Sequence, residues 1–272
     1  MTYRHGSLVA FTLLVQTAVG SVWCIGAALL LSGSRFSLLH CEWHALFALL
    51  MVLAGLAASI AHLGRPGVCF YAIRNLRRSW LSREVAATGA FAGILAVMVL
   101  TCAWSGELNG WVVLVESLVG GLVLYVMVRA YRLRTVPSWN HAGTVLGFLG
   151  SALLLGGLQF TVVSDALMGG FHGTSGADFL PSMGLLVALA GFIFKVQGQG
   201  RSFSQMAKSR MSFSFSQPVL QGSGLVLWAI SVVSGGSISL EWTFLSLAAA
   251  GLVIGEIVHR IRFYDAYHSA GL

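Results

Sequence analysis

The chain alternates long apolar segments with short polar loops. Eight segments are predominantly apolar, and each has the length, about 20 residues, that an α-helix needs to cross the hydrocarbon core of a bilayer. We expect transmembrane helices over residues 8–31, 43–63, 84–104, 111–130, 141–164, 179–200, 218–236 and 242–262. The segments are continuously apolar and do not alternate, which favours a helical bundle over a β-barrel.

Composition supports a membrane protein without a soluble domain. Of 272 residues, 57% are hydrophobic and only 9% are charged, whereas soluble domains carry about 25% charged residues. We therefore expect one all-α integral membrane domain over residues 1–272. The first segment is longer than a signal-peptide core, so we expect it to be a retained helix. Small residues at 147, 151, 156 and 157 suggest a closely packed helix pair.

The basic residues indicate the orientation of the bundle. If all eight segments cross, both termini and the second, fourth and sixth loops lie on one side. That side holds every one of the 16 Lys and Arg residues except Arg35. The excess of basic residues predicts that this side is cytoplasmic. The net charge of +7 is then a consequence of topology, and nucleic acid is not an expected partner.

The second loop, with its flanks, reads HLGRPGVCFYAIRNLRRSWLSRE over residues 62–84 and is the richest in candidate chemistry. His62 ends the second predicted helix and Glu84 begins the third. Each has an ordinary structural explanation, since helix ends favour such charges and Ser82 could cap the third helix. Both residues lie at the same membrane level, however, and a histidine beside a carboxylate provides a proton route. The pair therefore favours proton-coupled redox chemistry, such as quinol oxidation, which releases two protons with two electrons.

Further residues complete the candidate site. Arg65 and Arg83 could keep the carboxylate ionised or orient a quinone carbonyl. The primary site residues are His62, Glu84, Arg65, Ser59, Gly64 and Arg83; the secondary candidates are Glu256, Trp80 and Tyr71; and the candidates for docking a partner are Arg74, Arg77 and Arg78.

Two acidic residues, Glu116 and Glu256, lie inside predicted helices. Ionisable residues within a membrane are costly and are functional candidates. For Glu256, pairing with His259 or Arg260 would be a structural explanation.

The cysteines and histidines argue against a resident metal. Cys24, Cys41, Cys69 and Cys102 are isolated, so no iron–sulfur, zinc or c-type haem motif is present. No predicted helix has two histidines within its core, which leaves b-type haem only as an alternative interpretation. We expect this protein to bind no metal or haem.

Four segments resemble the anchor subunits of dimethyl sulfoxide reductase-type enzymes, the DmsC type. They are HLGRP at 62–66, SRE at 82–84, RLRTVPSWN at 132–140 and GEIVHRIRFY at 255–264. The layout of eight helices also fits. Arg65 departs from the family pattern, where a smaller polar residue occurs.

This resemblance implies a multi-pass subunit of the bacterial inner membrane that exchanges electrons between quinone (menaquinone or ubiquinone) and a partner iron–sulfur subunit. A molybdopterin subunit would then catalyse the terminal reaction, so this protein would not. The resemblance also places His62 and Glu84 at the menaquinol site.

The predicted orientation differs from that of the best-known family members, which serve exported enzymes. Cytoplasmic sulfite-oxidising molybdoenzymes have related anchors, and the basic residues here predict cytoplasmic partners. Two alternatives remain open besides haem: a purely structural anchor, and a transporter with a site near the membrane centre.

Overall fold

The computed structural model describes residues 3–32, 41–61, 71, 74–133, 135–136, 139–168, 179–206, 216–233 and 238–268. Within these ranges the protein forms eight α-helices: α1 (Tyr3–Ser32), α2 (Cys41–Ala61), α3 (Trp80–Ser105), α4 (Gly110–Tyr131), α5 (Ala142–Met168), α6 (Phe179–Met206), α7 (Ser216–Val233) and α8 (Ile238–His268). Each predicted segment coincides with one helix, so the all-α prediction is confirmed.

Six of the helices in the described ranges, α1 to α5 and α8, are long and apolar enough to cross a membrane. The apolar stretch of α6 is shorter, Ser182–Gln197, and α7 has only 18 residues. The molecule is therefore a polytopic membrane protein with six clear spans and two shorter apolar helices.

The start of α3 differs from the prediction in a way that affects the site. The helix begins at Trp80, and Ser79 is its N-cap; the Ser79 hydroxyl accepts a hydrogen bond from the Ser82 backbone N–H at 3.2 Å. The suggestion that Ser82 could cap the helix was wrong, because the helix starts two residues earlier and Ser82 lies within its first turn. Glu84 consequently lies in the second turn, on the buried face of α3.

Helix α1 occupies the centre of the bundle. It packs against α2, α4 and α5, and 78% of its apolar stretch is buried, compared with 33% for α3. Hydropathy does not distinguish these two helices, because lipid and protein interior both accept apolar side chains. Whether a helix lies at the centre or at the edge of the bundle is therefore decided by helix packing and not by hydropathy.

Glycines bring α1, α5 and α6 into close contact. Gly156 of α5 lies directly against the backbone of Gly20 in α1, and Gly157 lies against the backbone of Gly184 in α6. A methyl group at either α5 position would overlap the neighbouring backbone. The predicted close-packing role of residues 156 and 157 is thus confirmed.

One end of the bundle contains the start of α3, the end of α4, the start of α5 and the end of α8. Side chains from α4, α5 and α8 meet there. The exposed residues Arg74, Arg77 and Arg78 lie in the segment just before α3. We call this the basic end. Exposed Trp104 and Trp111 lie at the opposite end, as expected for aromatic residues at a membrane–water interface.

Candidate functional site

An aromatic cluster organises the basic end. The Tyr131 ring lies 5.6 Å from the Phe148 ring and 5.6 Å from the Tyr264 ring, measured between centroids. Trp139 stacks on Phe263 at 4.9 Å, and the Trp139 indole N–H donates to the Phe263 backbone carbonyl at 2.6 Å. We call these five residues the Tyr131 cluster. It joins the segments 132–140 and 255–264, which are distant in sequence.

Glu84 is buried beside this cluster. Its side chain is 2% exposed, and among the described residues its Oε1 atom has no hydrogen-bond partner. The carboxyl group lies within electrostatic range of the Tyr131 and Tyr264 hydroxyl groups. A buried carboxyl group without a full set of hydrogen bonds is costly. Such a group is available to bind a ligand or to take up a proton.

A cationic layer lies next to Glu84, on the exposed side of α3. The Arg83 guanidinium carbon is 4.2 Å from the centre of the Trp80 ring, and that of Arg129 is 4.8 Å from the same ring. The Arg83 side chain also donates to the backbone carbonyls of Leu76 and Arg77, each at 2.8 Å. Arg83 therefore fixes the loop and the Trp80 ring, and its guanidinium does not pair with Glu84 as the sequence suggested.

The residues before α3 form an exposed basic segment. Arg74 lies over the Tyr71 ring at 5.1 Å, and Tyr71 is 60% exposed. A shallow depression of about 470 Å³ is lined by residues 74 to 78. Tyr71 therefore lies on the surface here and not against the buried carboxyl group of Glu84.

Three predicted site residues, His62, Gly64 and Arg65, lie outside the described residues. Ser59, half-buried, is in the last turn of α2. Helix α2 packs against α3, the helix that contains Glu84.

A second polar cluster lies deep between α5, α6 and α8. Lys195 and Glu256 form an ion pair, and both side chains are almost completely buried. The Glu256 carboxylate also accepts hydrogen bonds from Ser151 at 2.8 Å and Gln221 at 2.7 Å. The direct ion pair of Glu256 is with Lys195 of α6 and not with His259 or Arg260, although Arg260 lies within electrostatic range of the carboxylate.

His259 and Arg260 contact other groups near this cluster. His259 Nδ1 lies 3.1 Å from the Gln217 side-chain oxygen. Arg260 donates to Gln16 at 2.7 Å and to Ser151 at 3.3 Å, and its guanidinium lies 4.1 Å from the Phe148 ring centre. Lys195 and Arg260 are therefore internal charges, and only the remaining basic residues bear on the orientation of the bundle.

Glu116 is fully buried in the half of the bundle opposite the basic end. Neither of its carboxyl oxygens has a hydrogen-bond partner within the described part of the chain. The neighbouring positions on its helix face, Val113 and Gly120, contact α1 and α3. Glu116 thus lies far along α4 from Tyr131 and is not part of the site at the basic end.

Sequence reasoning missed two members of these clusters. Tyr131 ends an ordinary apolar helix, and only its position just before the segment 132–140 could have drawn attention to it. Lys195 was a charge inside a predicted span, which is itself a signal of an internal partner. Among the described residues, no group of three or more His, Cys, Asp or Glu side chains could hold a metal ion.

Comparison with known proteins supports the family resemblance that the sequence segments indicated. Residues 1–265 match the model of the family described as DMSO reductase anchor subunit (DmsC). Two relatives in Escherichia coli are similar over 99% of this protein and 97% of their own length: the YnfH subunit of anaerobic dimethyl sulfoxide reductase, 26% identical, and the C subunit of anaerobic dimethyl sulfoxide reductase, 25% identical. The C subunit of the Haemophilus influenzae anaerobic dimethyl sulfoxide reductase is 35% identical over 57% of this protein and 56% of its own length.

Proposed function

The protein belongs to the DMSO reductase anchor subunit family, and from that membership we propose that it is the quinone-reactive membrane subunit of a multi-subunit oxidoreductase. In this proposal, a quinol is oxidised at the basic end beside Glu84. Its two electrons pass to a partner iron–sulfur subunit and then to a molybdopterin subunit. The three relatives are named reductases, which favours this direction over the sulfite-oxidising one.

The observation that carries the proposal is the buried Glu84 carboxyl group. Quinol oxidation releases two protons, and each must reach an acceptor near the quinol hydroxyl groups. Glu84 supplies one acceptor, since Oε1 has no partner among the described residues. His62 supplies the second, on the basis of its sequence position next to the same loop. A carboxylate and an imidazole together can accept both protons.

The Tyr131 cluster and the cationic layer position Glu84. Tyr131 and Tyr264 lie within electrostatic range of the carboxyl group, so their hydroxyl dipoles act on the charge of that group. The Trp80 ring, which the Arg83 and Arg129 guanidinium groups both contact, lies one helical turn before Glu84 on α3. Burial by these groups keeps bulk water from the reacting hydroxyl groups, which strengthens local electrostatic interactions.

The tests begin with Glu84→Gln in the purified complex. The amide keeps the shape of the side chain but cannot accept a proton at neutral pH. We expect quinol-linked turnover to fall by about 100-fold, the lower part of the range for general base catalysis. Turnover driven by an artificial dye that reduces the partner subunits directly should be unchanged. Glu107→Gln is the matched control, because Glu107 is exposed at the opposite end of α3.

Two results would contradict the proposal in different ways. If quinol-linked turnover of Glu84→Gln stays within twofold of the native value, Glu84 is not the proton acceptor. If the dye-driven activity is lost as well because the complex does not assemble, Glu84 is a structural residue and the protein is a structural anchor.

We also propose that α6 and α7 cross the membrane with the other six helices, so that both termini lie in the cytoplasm. Each packs along a neighbour that has a clear span, α6 against α5 and α7 against α8. The exposed basic residues of the basic end support the cytoplasmic assignment. A reporter enzyme that is active only in the periplasm, fused to the C-terminus, should be inactive. A strongly active fusion would reverse this orientation and place the partner subunits outside.

A further inference from the structure

A long apolar groove runs along α1, and none of its lining residues comes from α3, the helix that contains Glu84. Its volume is about 710 Å³, and its lining comes from α1, α2, α5 and α8. The lining reaches from Gly6 and Asp265, at the basic end, to Thr17, Met51 and Val253, which lie at the midpoints of their helices. At 1.5 Å per residue, the α1 wall alone is about 16 Å long. The volume lies within the range of sites that bind small organic ligands.

One buried polar side chain in the groove makes no hydrogen bond to any described residue. Gln159 of α5 lines the groove near its deep end and is 7% exposed. Within the described part of the chain, neither its amide nitrogen nor its amide oxygen makes a hydrogen bond. Thr17, the other polar residue at that depth, donates its hydroxyl to the Leu13 carbonyl at 2.8 Å and is therefore satisfied. Buried amides are usually hydrogen-bonded, so Gln159 indicates a ligand with a polar group deep in the groove.

The depth of Gln159 and its amide group favour a quinone over a phospholipid as the ligand of the groove. A phospholipid keeps its ester carbonyls at the membrane surface and would bring only a terminal methyl group to the amide. A quinone is a better match, because a carbonyl oxygen can accept from the amide nitrogen and a quinol hydroxyl can donate to the amide oxygen. One glutamine can thus bind both redox forms.

We propose that this groove is a second quinone-binding site, with the ring at Gln159 and the prenyl tail along α1 and α8. The inference rests on the proposed function, since it takes quinone as the ligand of this protein. The groove and the Glu84 site are distinct. Val9, Leu13 and Leu155 of the groove wall pack against Trp139 and Tyr264, so the Tyr131 cluster lies between the two. The groove is a holding site that exchanges quinone with the bilayer.

The experiment counts quinone bound to the intact complex. Decyl-substituted benzoquinone and naphthoquinone are titrated into the delipidated complex in detergent, and bound quinone and phospholipid are quantified after extraction. Gln159→Leu replaces the amide side chain with an apolar one of similar size. Ala10→Phe places a ring in the groove, and Ala250→Phe, on an exposed part of α8 outside the groove, is its matched control.

We expect two quinones per native complex and one per complex for Gln159→Leu and Ala10→Phe at the same quinone concentration. Loss of the hydrogen bonds should weaken the second site about tenfold. Quinol-linked turnover at saturating quinol should remain near the native value, and Ala250→Phe should resemble the native complex.

The alternative outcomes separate this inference from the proposed function. One bound quinone in the native complex, unaffected by Gln159→Leu and lost in Glu84→Ala, overturns the second site but keeps the first. Phospholipid retained in place of quinone, and displaced by Ala10→Phe, also overturns it. The absence of any bound quinone together with no quinol-linked turnover overturns the proposed function itself.

Discussion

The ion pair between Lys195 and Glu256 gives the sharpest test of the described structure. Replacing Lys195 with Met removes the cation and its 3.0 Å hydrogen bond to Ser151. Glu256, 0% exposed, would keep only its hydrogen bonds from Ser151 and Gln221. Breaking a buried ion pair by removing one partner costs about 3–5 kcal/mol, because an uncompensated charge remains. We therefore expect Lys195→Met to lower the free energy of unfolding by about this amount.

The double variant Lys195→Met with Glu256→Gln tests whether the cost arises from the unpaired charge. With both charges removed, no unpaired carboxylate remains beside Ser151, and replacing both members of a buried ion pair is often neutral or stabilising. We expect the double variant to recover most of the stability lost in the single one, which corresponds to a coupling energy of about 2–4 kcal/mol.

The assay is equilibrium unfolding of the complex in mixed micelles with increasing denaturing detergent. Arg262→Met is the control, because Arg262 is exposed and its loss should change the unfolding free energy by less than about 0.5 kcal/mol. A loss below about 1 kcal/mol for Lys195→Met, well under the cost of a broken buried pair, would refute the reasoning, as would purely additive effects in the double variant. Native quinol turnover in the double variant would show that Glu256 has no role in proton transfer.

Two further predictions concern the surface and the helix packing. The double variant Arg77→Glu with Arg78→Glu should weaken binding of the partner iron–sulfur subunit. The effect should be larger at low ionic strength, because salt screens exposed charges. Co-purification of the partner subunit at two salt concentrations measures this, and equal recovery of that subunit at both concentrations would contradict a docking role. Gly156→Ala should prevent assembly, because the added methyl group overlaps the Gly20 backbone. Gly89→Ala is the control: Gly89 has open space around it, so the substitution should stabilise α3 by about 0.5–1 kcal/mol. Thermal unfolding distinguishes the two variants, and equal effects would show that the contact between Gly156 and Gly20 is absent.

The family resemblance and the helices followed from local features of the sequence. Each apolar run of sufficient length must form a helix in a membrane, because backbone groups there have no water to bond. The four segments that resembled the anchor subunit family did so as contiguous strings, and the match over residues 1–265 confirms that resemblance. Glu84 could be singled out because its motif and basic neighbours lie together in sequence.

Tertiary contacts decided what each charge does. Lys195 lay near the end of a predicted span and was counted with the basic side, and it is instead the cation of Glu256. Arg83 looked like a partner for Glu84 and instead holds Trp80 and two loop carbonyls. Such pairings join residues from different helices, and hydropathy carries no information about which helices are neighbours.

The sequence by itself thus determined the number and type of helices, the family and the position of Glu84. Only the tertiary structure decided that Tyr131, Trp139 and Tyr264 gather near that carboxyl group and that Gln159 faces an apolar groove. The physical reason is that helix formation in a membrane depends on each segment alone. Helix packing depends instead on the shapes of several faces at once, as the contact of Gly20 with Gly156 shows.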